Sequence, residues 1–489
     1  MHPSALAKRL YLLLFVIIIA FYFYGLGALP LLGPDEPRYA QVAREMFLRG
    51  DLITPTLGGH TWFEKPALPY WLMIASYRIF GVNEWSARFG AALCGLLTIA
   101  AVVYMGRTVE RALAVERKTA EATSFGFWSV LITASSLGLI VFSRAASFDV
   151  AITMTTAWAL AFFVVYELSE RQRSSLLAGF YVFIALSLLA KGLVGIVIPF
   201  GVVGLYYLLR RAWPTRQVWL SLIWGVPLAL AASAIWYGPV IARHGWTFID
   251  EFFIQHHFAR YVSNKYHHPQ PIYFYPAIIL LLALPWTPYL LTSFVKIRTW
   301  VWRGGDTLSV VRVFALAWLA LPIVFFSFSN SKLPGYILPS LPGAALLVTD
   351  YLVCSKSRWI PGSTARLVIF GSTLLLVAGV LIFAAPRFAQ RESVRDLLRL
   401  ADARGYAGAP VLARTGDDRS AQFYAYDRVV YKSDGEVMTF DEVSLEQART
   451  LGPKILVLIP AEYIDDFRGA RNIEIIGDNG RTAALGWTP

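Results

Sequence analysis

Charge is scarce in this chain. Only 16% of its 489 residues are Asp, Glu, Lys or Arg, against roughly 25% in soluble domains, which argues against an ordinary soluble protein. Cysteine is nearly absent. Cys94 and Cys354 are the only two, and both lie in or beside apolar runs, so they provide neither a disulfide framework nor a thiolate metal motif. A glycine-rich phosphate loop is also missing, and with it the usual signature of a nucleotide site. There is no internal repeat and no low-complexity stretch.

What the chain has instead is hydrocarbon. Hydrophobic residues make up 56% of it, with 16 Trp and 24 Tyr, a composition suited to many spans with aromatic belts at the interfaces. The net charge of +12 sits mostly in short loops between apolar runs. It therefore reports topology and contact with anionic membrane lipids rather than nucleic acid. About eleven runs approach the ~20 residues that a crossing needs. They lie near 10–29, 86–106, 124–142, 148–166, 176–190, 192–209, 218–240, 272–294, 311–328, 335–353 and 366–385, and alternative breaks allow up to thirteen. The first run, from Tyr11 to Leu29, lacks a small-residue cleavage site and reads as a span rather than a removable signal.

Orientation follows from the basic loops. With Lys8 and Arg9 inside, Arg107 to Lys118, Arg171 and Arg173, Arg210 to Arg216, Lys296 to Arg303, and Lys356 with Arg358 all fall inside as well. The loops 30–85 and 241–271 then face the outer side, and the segment after 386 follows them. That segment is richer in charge. Short β-like runs (Pro410 to Arg414, Lys454 to Pro460, Asn472 to Gly477) alternate with amphipathic stretches such as Ser393 to Arg404. The expected architecture is a mainly α polytopic membrane protein, with a transmembrane catalytic part over 1–385 and a small soluble α/β domain over 386–489.

The unusual polar residues gather on the outer side. Asp35 and Glu36 open the loop, bracketed by Pro34 and Pro37, and Arg38 follows. From Arg38 to Arg49 the spacing of Tyr39, Val42, Ala43, Met46 and Phe47 predicts a short helix. Asp35 can cap that helix or act as a general base on an acceptor hydroxyl, with Glu36 as the second carboxylate. Glu64 and Lys65 come next, ahead of Tyr70 and Trp71. Lys65 can snorkel to the interface or hold a lipid phosphate. Asp149 opens the fourth span, with Arg144 as an ordinary partner or a role as a second active-site acid. Four of the seven histidines fall within 256–268. Glu64 with one of them, His257, can form part of a Zn, Mg or Mn site, although the spacing is no metal motif. Ser329 to Tyr336 forms a polar outer turn. Its Lys332, together with Lys65, Arg260 and Lys191, would complete a cationic pocket for phosphate.

Taken together these segments resemble the GT-C polyprenyl-phosphate-dependent glycosyltransferases, in particular the bacterial aminoarabinose transferase and protein mannosyltransferase-like family. The matching stretches are Pro34 to Ala40, Phe63 to Trp71, Ala190 to Gly192, His257 to Tyr261, Leu284 to Trp286 and Ser329 to Pro339. They occur in the family's order within residues 10–350. The resemblance implies a sugar donor on undecaprenyl phosphate, no nucleotide, and transfer at the periplasmic face of the bacterial inner membrane. It implies an acceptor that is a lipid such as lipid A, another envelope glycan or a protein. Asp35 would be the catalytic base, supported by Glu36 and Asp149. Lys65, Arg260, Lys332, Arg38 and Tyr336 would bind the donor phosphate, and the configuration would invert. Glu64 and His257 would be ligands of a divalent metal, although His256 stands where the family often has an acid. The chain is short for an aminoarabinose transferase, so the acceptor need not be lipid A. A transporter or flippase of lipid-linked sugars is the rival reading. It would need inverted repeats and charges accessible from both sides, whereas the charges here lie on one side.

Overall fold

In a computed structural model, all residues are described except 1–4, 118–123, 260, 262–269, 356–359, 414–418 and 433–435. The apolar runs form helices, because backbone groups in hydrocarbon must be satisfied within their own segment. Among the described residues seven helices are long and apolar enough to cross a membrane, and two bent helix pairs bring the number to nine if each is one span. Tyr11–Phe23 and Val194–Arg210 are shorter apolar helices.

The bent pairs are where the regular pattern of straight spans breaks. Phe125–Ala134 and Leu137–Ser143 meet at 56°, and Phe274–Leu282 and Thr287–Val295 at 119°. Helix breaks leave backbone groups exposed to a medium with no water. Here the two breaks serve each other: Leu137 N–H donates to Leu284 O at 2.9 Å, and Trp286 Nε1 donates to Ser135 Oγ at 2.9 Å.

The chain divides into two compact units. The first comprises Met1–Tyr24, Phe63–Pro69 and Gly90–Leu376. In it Phe148–Glu167 packs along Ser174–Lys191, which in turn packs on Val194–Arg210 and Arg216–Phe248. Thr307–Ser327 packs on Leu341–Cys354. Aromatic rings fill the joints, with Phe163 against Phe180, Tyr207 and Phe314.

The second unit comprises Gly25–Trp62, Tyr70–Phe89 and Val377–Pro489. It holds a two-stranded antiparallel hairpin, β1 (Thr56–Leu57) and β2 (His60–Thr61). It also holds a four-stranded sheet built from β3 (Val411–Ala413), β4 (Ile455–Pro460), β5 (Ile473–Asp478) and β6 (Thr482–Trp487), in the order β3-β4-β6-β5. β3 and β4 are parallel, and the remaining pairings are antiparallel. The first three of these strands fall on the β-like runs of the sequence. β6, Thr-Ala-Ala-Leu-Gly-Trp, was not among them. It carries little β propensity and is a strand because it lies between two partners with both faces buried: Ala484 in one core, Ala483, Leu485 and Trp487 in the other. Gly486 is required there by close approach. A Cβ on it would fall 2.1 Å from the Tyr406 ring. Gly486→Ala is expected to cost about 1–3 kcal/mol through overpacking, seen as a lower thermal midpoint of the C-terminal domain.

Candidate active site

In the first unit four of the sequence-singled segments converge. Asp149 lies in the first turn of Phe148–Glu167, where Ser147 caps the helix and accepts from Asp149 N–H at 3.1 Å. Lys191 is the last residue of Ser174–Lys191, ahead of Gly192 at φ 68°, a left-handed turn that glycine adopts without steric cost. The Lys191 ammonium donates to Asp149 Oδ1, and it sits 4.4 Å from the centroid of the Tyr336 ring. Tyr336 belongs to the 3₁₀ segment Pro334–Ser340, which packs on the Asp149 helix. Glycine at 335 makes that approach possible, since a Cβ there would lie 1.9 Å from Asp149 Oδ2. Lys65 Nζ donates to Glu64 at 2.8 Å, with both side chains largely buried. Lys332 Nζ donates to Gln270 O at 2.9 Å.

Of these groups Glu64, Lys65, Lys191 and Tyr336 border a cavity of about 450 Å³, within the ~300–1,000 Å³ range of ligand pockets. Glu64, Lys65, Lys191, Ser329 and Tyr336 form its polar side, and His256 also lines it. Leu193, Val197, Phe258 and Phe325 supply hydrocarbon. An ammonium has three N–H donors and Asp149 takes one of those on Lys191, so the arrangement can hold an anion whose remainder is apolar.

Asp35 belongs to the second unit. It begins the helix Asp35–Arg49, and Pro34 at its N-cap makes no side-chain cap bond. Asp35 is half exposed and pairs with Arg38, whose guanidinium also lies 5.4 Å from the Trp62 ring centroid. Glu36 differs from the open catalytic carboxylate suggested by the sequence. It is buried, accepts from Arg88 at 2.9 and 2.7 Å, and accepts from Leu32 N–H at 2.8 Å. Arg88 also donates to Leu26 O, Leu29 O and Pro30 O at 2.7, 2.8 and 2.7 Å. The arginine thus ties the chain entering the Asp35 helix to the helix itself. The C-terminal domain braces the same place. The helix Arg419–Tyr424 packs on Asp35–Arg49, and Arg44 donates to Phe423 O at 2.8 Å while lying over the Phe423 ring. Tyr424 OH accepts from Leu31 N–H at 2.8 Å and donates to Glu84 at 3.1 Å. Burial, with Glu84 adding to it, pushes the Tyr424 phenol well above its ordinary value, so it stays a neutral donor.

The sequence offered Arg144 as a partner for Asp149. Arg144 instead donates to Phe21 O and Tyr24 O at 2.8 and 2.6 Å, capping the end of the first span, and Lys191 takes the acid. Arg88 and Gly335 were not singled out as site residues. The signals for them were an arginine at a span edge and a glycine inside the Ser329 to Pro339 stretch. Arg260 and the side chain of His257 lie outside the described residues. Among the described residues no three His, Cys, Asp or Glu side chains converge as a metal site would need, and Glu64 is engaged with Lys65.

A sequence profile of the dolichyl-phosphate-mannose-protein mannosyltransferases matches residues 8–301. The chain belongs to this family. Relatives within reach include undecaprenyl phosphate-alpha-4-amino-4-deoxy-L-arabinose arabinosyl transferase 2 of Pseudomonas fluorescens, 30% identical over 69% of this chain and 58% of that protein. The corresponding transferase of Pseudomonas aeruginosa is 27% identical over 98% of this chain and 83% of its own length. The chain spans 58% of the length of the first curated relatives it matches. In fold, this family member is similar to ArnT from Cupriavidus metallidurans bound to undecaprenyl phosphate, with a TM-score of 0.77 and 21% identity over 98% of both chains. The apo form of the same protein gives 0.75.

Proposed function

We propose that this chain is a membrane glycosyltransferase that moves a sugar from a polyprenyl phosphate to an acceptor hydroxyl. The observation that carries the reading is the cavity where Lys65, Lys191 and Tyr336 face Leu193, Val197 and Phe325. Cations suit a phosphate, and the apolar wall suits the start of an isoprenoid chain. The names of the relatives, which use undecaprenyl phosphate, and the undecaprenyl phosphate bound to the similar structure point the same way.

In this proposal the bond between the anomeric carbon and the phosphate oxygen breaks, and a bond to the acceptor oxygen forms on the opposite face, with inversion. The charge left on the phosphate is stabilised by Lys65 and Lys191, which line the cavity, with Arg260 and Lys332 adding positive charge, because donors placed where negative charge develops lower the barrier. The acceptor proton passes to Asp35, while Arg38 pairs with that carboxylate and Glu36 fixes the turn that carries it. Asp149 orients Lys191. The site faces the periplasm, opposite the arginine-rich loops, and the acceptor is an envelope lipid or glycan. A divalent cation on Glu64 and His257 remains part of the proposal without a step of its own. Dialysis against a chelator, followed by Mn or Zn, tests it by loss and return of transfer.

The experiment is transfer of radiolabelled sugar from undecaprenyl phosphate to membrane acceptors, with lipid and protein fractions counted separately. Wild type is expected to label the lipid fraction. Asp35→Asn is expected to lose about 10²–10⁴-fold in rate, the usual contribution of a general base, with donor KM nearly unchanged. Full activity in Asp35→Asn would remove Asp35 as the base. Label confined to protein would move the acceptor from lipid to protein.

A further inference from the structure

We propose that the second large cavity, at the arginine-rich end of the first unit, is a binding site for an anionic phospholipid. One acyl chain lies inside the bundle and the headgroup phosphate lies at Arg211. The cavity measures about 580 Å³ and is distinct from the donor cavity. Leu177 and Phe180 line it near the start of Ser174–Lys191, whereas Lys191 ends that helix. At 1.5 Å per residue the two sites are separated by roughly 20 Å of helix.

The interior suits a hydrocarbon chain. Leu177, Phe180, Phe200, Val203 and Leu222 form the walls. Gly204 also lines the cavity, and a Cβ built on it meets nothing within 4 Å, so it faces open space where any larger residue would intrude. The mouth suits an interfacial headgroup. Trp213 is 86% exposed and Trp219 is exposed beside it, the amphipathic rings that settle at headgroup level.

The charge at the mouth selects the sign of the ligand. Arg210 and Arg211 are adjacent but differently placed. Arg210 is held inward, donating to Gly304 O at 2.7 Å and to the Tyr206 hydroxyl. Arg211 caps the helix with φ 49°, lines the cavity and is exposed. Among the described residues it forms no ion pair. Glu167, at the end of the helix Phe148–Glu167 that packs on Val194–Arg210, already accepts from Tyr207 at 2.7 Å and Tyr206 at 3.1 Å. Arg216 opens the next helix, and such juxtamembrane basic residues attract the anionic lipids of the inner leaflet. A zwitterionic lipid would bring its own cation to the same mouth.

The test uses the full chain in detergent micelles. Phosphatidylglycerol and phosphatidylcholine, each with a photoreactive group in one acyl chain, are crosslinked separately and the adducts mapped by peptide mass spectrometry. Phosphatidylglycerol is expected to label residues 200–222 about fivefold more than phosphatidylcholine, as anionic-lipid recognition by an arginine requires. Gly204→Trp should abolish that label, and Arg211→Ala should remove most of the lipid preference. Label on the exposed helix Ser363–Gly379 should remain unchanged in both variants, which controls for folding. Equal labelling by the two lipids, or undiminished label in Gly204→Trp, would overturn the proposal. Displacement of the phosphatidylglycerol probe by stoichiometric undecaprenyl phosphate would overturn it too, by assigning the cavity to the donor lipid.

Discussion

Arg88→Met is expected to destabilise the second unit by about 3–5 kcal/mol, the cost of leaving one member of a buried ion pair without its partner. Arg88 is 4% exposed and makes five hydrogen bonds. Methionine replaces its volume but none of those donors. Three backbone carbonyls lose them, and Glu36 loses both bonds from the guanidinium. Because Asp35 adjoins Glu36, transfer is expected to fall by about 10²-fold even in protein that remains folded, since small misplacements of catalytic groups cost that much. The double variant Arg88→Met/Glu36→Met separates the two effects. Removing both charges is often close to neutral for stability, so the thermal midpoint should recover in part, the three carbonyls still lacking their donors, while transfer stays low. Recovery of both would reduce the pair to a structural role. Differential scanning fluorimetry and transfer rates below the midpoint provide the two readouts.

Gly335→Ala is expected to lower transfer by about 10²-fold with a stability loss of only about 1–3 kcal/mol, the range for a small overpacking. The added methyl would lie 1.9 Å from Asp149 Oδ2 and 2.6 Å from Phe142 Cε1. Asp149 must move, and it is the group that holds Lys191. The effect on activity therefore exceeds what one methyl costs in stability. Gly335→Ala combined with Asp149→Ala is expected to cost less stability than the two single changes added together, because the contact with the carboxylate is gone while that with Phe142 stays, and it does not regain transfer. Non-additivity of this kind is the mark of residues in contact. If Gly335→Ala retained wild-type transfer, the Asp149–Lys191 contact would not matter for the reaction.

The membrane architecture was legible because the solvent dictates it. Hydrocarbon forces long apolar helices, so the runs of the sequence coincide with helical elements. What the runs could not show was where a helix bends. The breaks at Ser135 and near Pro285 depend on each other through Leu137 and Trp286, a tertiary arrangement. The site was legible as a set of segments, but its pairings were not. Arg144, five residues away, was the partner the sequence offered for Asp149, and only the packing of Ser174–Lys191 on Phe148–Glu167 brings Lys191 to the acid instead. Glu36 read as a second catalytic carboxylate because adjacent acids look alike. Its partner Arg88 lies 52 positions on. Likewise β6 is a strand by burial rather than by propensity, and the union of residues 25–62 with the C-terminal domain rests on contacts such as Arg44 with Phe423.

The most direct measurement of the central claim is binding of undecaprenyl phosphate and of undecaprenol, which lacks the phosphate, to the purified chain before and after Lys191→Met. The cavity reading predicts that wild type prefers the phosphate by at least about tenfold, equal to ~1.4 kcal/mol, and that Lys191→Met loses most of that preference while still binding the alcohol. Equal affinity for the two lipids in wild type, or a preference untouched by Lys191→Met, would contradict the assignment of this cavity to a lipid phosphate.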